Sequence, residues 1–142
     1  MAKVSEQALS HAHQAEYKDR TIVDTGATDH ICNNISRFVN FDVSPRRVFI
    51  RTGAGLVAVK ATGTIELSIL RADGNINTVK FSDVLYAPDM FVSIISHSKL
   101  RSKGVYYHGF EEKLYRDADG SEIAYTPEID GIPNLLHATN SI

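Results

Sequence analysis

The stretch from Thr21 to Asn34, TIVDTGATDHICNN, holds the side chains best suited to chemistry. A β-branched run, Thr21-Ile22-Val23, ends on Asp24-Thr25-Gly26-Ala27. A carboxylate held where a buried strand ends can take a proton from water. A hydroxyl beside it can tie down a loop, and a glycine lets the backbone turn sharply where a Cβ would intrude. The same tripeptide also makes a good solvated turn, which is its commoner fate. Thr28, Asp29 and His30 follow, and they either line a groove next to Asp24 or sit in an open loop. Asp29, His30 and Cys32, with His11 and His13 upstream, raise a zinc site. Their spacing matches no standard one and there is a single thiol, so no metal and no cofactor are expected. Cys32 reads better as a small buried hydrophobe.

Such an acid needs a rigid frame, and the chain reads as short strands. "RRVFIRTGAGLVAVKATG" is two extended arms around Thr52-Gly53-Ala54-Gly55, a hairpin with a glycine-rich tip. "TGTIELSIL" alternates, with Ile65, Leu67 and Ile69 on one face and Glu66 and Ser68 on the other. Asp73-Gly74 supplies the positive φ of a tight turn into "INTVKFSDVLYAP". In "DMFVSIISHSKLRSKG" the spacing of Phe91, Ile94, Ile95 and Leu100 predicts a helix that stops at Gly104. Three further strand segments follow, joined by turns at Asp119-Gly120 and Asp130-Gly131. Many short strands and one late helix predict an all-β domain, a small barrel or sandwich. The domain is expected over residues 21–138, with an N-terminal arm or linker over 1–20 and a tail over 139–142.

The chain has 142 residues, enough for one domain with a real core. It carries 15 Lys+Arg against 17 Asp+Glu, a balance that gives no electrostatic reason to expect nucleic acid as a partner. No apolar run is long enough to span a membrane, and one cysteine allows no intrachain disulfide. These features are those expected of a soluble, intracellular chain.

An Asp-Thr/Ser-Gly triplet ending an apolar strand is the active-site signature of aspartic proteases. "IVDTGATDHICNN" resembles the corresponding segment of Ty1/copia-type retrotransposon proteases, which are relatives of retroviral proteases. "FSDVLYAPDMFVSIISHSKLRSKGV" resembles a longer and more specific block of that family, and "EKLYRDADGSEIA" and "GIPNLLHA" are similar to its closing hairpin and strand. The resemblance runs from about Thr21 to Ala138. Thr25 replaces the family's more usual Ser, and "YAPDMF" stands where retroviral enzymes carry a hydrophobic-hydrophobic-Gly motif before the late helix.

The resemblance implies a retropepsin-like closed barrel and a symmetric homodimer, since the chain has one triplet and two acids are needed. One Asp24 from each subunit would share a proton and activate water, supported by Thr25 and Gly26. Ala27, Thr28, Asp29, Gly53, Ala54 and Gly55 would contact substrate, the last three as a flap. The substrate would be segments of the element's Gag and Gag-Pol polyprotein, cut in the cytoplasm within virus-like particles. The runner-up is the same fold serving as a binding or assembly module with cleavage lost.

Overall fold

Alternation of apolar and polar side chains decides the two longest strands of the computed structural model, which describes residues 17–44, 47–53 and 55–138. Ile65, Leu67 and Ile69 are buried while Glu66 and Ser68 face solvent. These residues form β6 (Ala61–Leu70), which returns as β7 (Ile76–Tyr86) through a turn where Gly74 takes φ 86°. The remaining strands are β1 (Thr21–Asp24), β2 (His30–Cys32), β3 (Phe38–Asp42), β4 (Phe49–Thr52), β5 (Gly55–Ala58) and β8 (Ser93–Ser96). After the helix α1 (His97–Arg101) come β9 (Val105–His108), β10 (Lys113–Arg116), β11 (Glu122–Tyr125), β12 (Glu128–Ile129) and β13 (Ile132–Leu135). The expected turns are present, with positive φ at Gly120, Asp130 and Gly131. Of the expected N-terminal arm, residues 1–16 lie outside the described residues, and Tyr17–Asp19 form one 3-10 turn. The expected tail, 139–142, also lies outside them.

The fold is mostly β, but the closed barrel is not what the described strands form. Eight strands pair in the order β12-β13-β1-β8-β2-β7-β6-β3, and the end strands β12 and β3 do not pair with each other. A second sheet, β11-β10-β9, supplies Leu114, Ile123 and Ala124 to the core shared with Val23, Ile65, Leu67, Ile69 and Ile95 of the large sheet. Covering one sheet with another buries the apolar face without joining the sheet's ends. The β4–β5 hairpin stands apart as a two-stranded sheet, and its Ile50 and Val57 join a second cluster with Ile31, Leu85, Met90 and Ile94.

The late helix is shorter than its spacing predicts. Ile94 and Ile95 belong to β8, Phe91 is exposed, and only Leu100 of the four apolar residues is a buried helical one. β8 runs between β1, parallel to it, and β2, antiparallel to it, so sheet bonds on both sides claim its backbone. Ser96 then caps α1, its Oγ accepting from the Lys99 amide at 3.2 Å, and Gly104 ends the following turn at φ 77°. Thus Ile94-Ile95-Ser96, and not "YAPDMF", stands directly before the helix. Among the described residues no helix is long and apolar enough to cross a membrane.

Candidate active site

Asp24 is the last residue of β1 and lies in register with Ser96, the last residue of β8. Because β1 and β2 flank β8, the loop from Thr25 to Asp29 has to pass over the end of β8. Ser96 fastens that loop at two points. Its Oγ donates to the Ala27 carbonyl at 2.7 Å, and its amide donates to His30 Nδ1 at 2.9 Å. The Asp24 carboxylate is itself aimed by the Gly26 amide, which donates to Oδ1 at 2.8 Å. It remains half-buried, with Thr25 and Gly26 exposed beside it.

A groove of about 290 Å³ opens on one side of Asp24. The loop lines it with Gly26, Ala27, Thr28 and Asp29; the hairpin lines it with Ile50, Arg51 and Thr52. Ile31, Met90 and Ile94 make an apolar floor. Arg47 bonds Asp29 across the groove at 2.9 Å, which neutralises that acid and ties the hairpin base to the loop. A second cavity of about 260 Å³ lies on the other side of Asp24, bounded by Thr25, Tyr107, Ile132 and Pro133. The Tyr107 hydroxyl is buried, with no hydrogen-bond partner among the described residues.

The structure therefore brings Asp24, Gly26, Ala27, Thr28 and Asp29 together in one groove, whereas Thr25 faces the other cavity. The glycine-tipped hairpin exists, but Gly53 and Gly55 do not line the groove, and Ala54 lies outside the described residues. Only Gly55 uses glycine's freedom, at φ 120°. Gly26 has a weaker demand than expected, since a Cβ there would meet nothing nearer than Asp24 Oδ1 at 3.4 Å. Ser96, Arg47, Arg51 and Tyr107 were not legible as site residues, because each reaches Asp24's surroundings only through strand pairing or long-range packing. Among the described residues, no group of three or more His, Cys, Asp or Glu is placed to hold a metal.

The sequence profile of the Pol polyprotein beta-barrel domain matches residues 21–105, from the start of β1 to the start of β9. The chain belongs to this family. A Saccharomyces cerevisiae protein named for transposon Ty5-1 is 36% identical over 88 residues, which are 62% of this chain and 54% of that protein. The chain thus spans about half the length of the curated relative it matches. It is a domain related to retrotransposon Pol polyproteins, and the matched part contains Asp24, the hairpin, β8 and α1.

Within this Pol domain His30 has an acid-sensitive role. It is 4% exposed, packs edge-on against Phe81 at 5.4 Å, and must stay unprotonated at Nδ1 to accept from Ser96. Burial first, then Lys99 and Lys103, lower its pKa from 6.5 to about 4, against the opposing pull of Asp29 and Asp83. The folded state refuses a proton that the unfolded chain accepts between those values. Stability is therefore whole above pH 6.5 and is lost as pH falls towards 4, by about 3 kcal/mol from this group. Burial also lowers His137, to about 3, so it adds to the loss in the same direction. Urea midpoints at a series of pH values check this. The wild type should lose stability across that window, and His30→Asn, whose amide oxygen can accept in place of Nδ1, should show a flatter curve. Equal midpoints at pH 6.5 and 4 would contradict the assignment.

Proposed function

We propose that the domain is an aspartic endopeptidase of a retrotransposon Pol polyprotein, acting as a homodimer with one Asp24 from each subunit. The observation that carries it is the Asp24 carboxylate, held by the Gly26 amide at 2.8 Å beside a groove of about 290 Å³ with an apolar floor. One carboxylate takes a proton from water as the water attacks the peptide carbonyl, and the other, protonated, donates to the departing groups. The substrate class is peptide segments of Gag and Gag-Pol polyprotein. Asp29, the other acid lining this groove, is engaged by Arg47, so the second acid is assigned to a second subunit. A binding or assembly module is the second reading, favoured by the fact that the matched family is described by its barrel and not by an activity. Turnover of Gag-derived peptides, with sedimentation at several concentrations, tests the first reading. A strict monomer that still cleaves peptide would sink the dimeric mechanism, and a dimer that never cleaves would leave the second reading.

The β4–β5 hairpin serves in this scheme as a flap that closes over peptide and excludes water. Gly55→Val should lower kcat/KM at least tenfold, because a β-branched residue cannot take φ 120° cheaply. Thermal stability should fall only modestly, by about 1–3 kcal/mol of backbone strain, since Gly55 is exposed with nothing within 4 Å of a new Cβ to add a clash. Unchanged turnover in Gly55→Val would remove the flap from the mechanism.

A further inference from the structure

We propose that Arg51 selects peptides, so that the groove beside Asp24 reads an aliphatic side chain with a carboxylate close to it in the sequence. The proposal rests on the peptide-binding part of the reading above and concerns which peptides fit.

The floor of Ile31, Ile50, Met90 and Ile94 offers apolar surface and no hydrogen-bonding side chain. An aliphatic residue seated there leaves water and gains contact area. The charged groups of the groove are four. Asp24 belongs to the reaction and Asp29 is paired with Arg47 at 2.9 Å. Arg51 has no hydrogen-bond or ion-pair partner among the described residues, and it is exposed on β4 immediately after Ile50 of the floor. It is thus the uncompensated cation of the groove lining. Side chains on one face of an extended peptide recur about every 6.6–7 Å. A carboxylate within two residues of the aliphatic one can therefore reach Arg51 while the aliphatic residue stays on the floor. The planar guanidinium can then take the carboxylate with two N–H donors, whereas a lysine at that place is repelled. An exposed pair of this kind is worth only a modest factor, about three- to tenfold between Glu and Lys peptides.

The test uses fluorescent decapeptides built on a central Leu-Ile pair, with Glu, Gln or Lys two residues away. Binding is read by anisotropy on the full chain carrying Asp24→Asn, and cleavage of the same peptides is read on the wild type. Affinity should fall in the order Glu, Gln, Lys, and the order should reverse when Arg51→Glu is added. Arg51→Gln should flatten it. The Arg51 side chain makes no hydrogen bond or ion pair among the described residues, so the β4–β5 pairing should survive its replacement, and circular dichroism of both variants verifies this. Equal affinities, no binding by any of the three peptides, or an order unchanged by Arg51→Glu would overturn the proposal. If the order appears in binding while the wild type cuts none of the peptides, the endopeptidase reading fails and the role of Arg51 stands.

Discussion

If the domain is the proposed dimeric endopeptidase, Asp24→Asn should leave no measurable peptide cleavage while the fold and the association persist. Asn has the shape of Asp and its side-chain oxygen can still accept from the Gly26 amide, as Asp24 Oδ1 does at 2.8 Å. It cannot take a proton from water, and in a symmetric dimer both halves of the acid-base exchange disappear together. The expected loss in kcat is about 10⁴-fold or more. The loop itself should stay in place, because its anchors are Ser96 to Ala27 and to His30 and do not pass through the carboxylate. In the proposed dimer two neutral amides would replace two carboxylates held at short range, so the variant should associate at least as tightly as the wild type at neutral pH. Peptide turnover and sedimentation of both forms check the two halves separately. Residual cleavage near the wild-type rate would mean that Asp24 is not catalytic. Loss of the dimer at every pH would make the residue structural.

Gly63→Ala should be the most damaging of the small substitutions, although Gly63 is far from any turn. β3 crosses β6 at this point, in register Phe41↔Gly63, with a shift of register between Phe38 and Asn40. A Cβ on Gly63 would overlap the Asn40 carbonyl oxygen and come within 2.8 Å of Phe41 Cα, both of which are backbone atoms. No side-chain rotation relieves such a clash, so β3 must move and give up bonds to β6. The expected cost is about 3 kcal/mol or more, near the upper end for overpacking. For a domain of this size that corresponds to a fall in Tm of roughly 10 °C. Gly53→Ala is the control, because a Cβ there meets nothing within 4 Å. A Gly63→Ala variant melting within about 2 °C of the wild type would show that β3 is free to shift.

What was legible in the chain is what depends on neighbours in sequence. The period of two in Thr64 to Leu70, the glycines of the turns and the polar break after Val23 all report local backbone geometry, so they announced β6, the hairpins and the position of Asp24 at a strand end. The late helix misled because Ile94, Ile95 and Leu100 satisfy helical spacing equally well. Only the placement of β8 between β1 and β2, where neighbouring strands claim its amides and carbonyls, decided in favour of a strand. The same non-local step made Ser96 the anchor of the Asp24 loop, brought Arg47 onto Asp29 and set Arg51 at the groove. The open sheet was likewise a tertiary outcome. Strand count and alternation are the same in a barrel and in two stacked sheets, and the packing of β9–β11 onto the large sheet chose between them. The sequence by itself determined which residue types stand around Asp24; tertiary structure decided which of them reach it, because hydrogen bonds and packing across distant strands have no signature in local spacing.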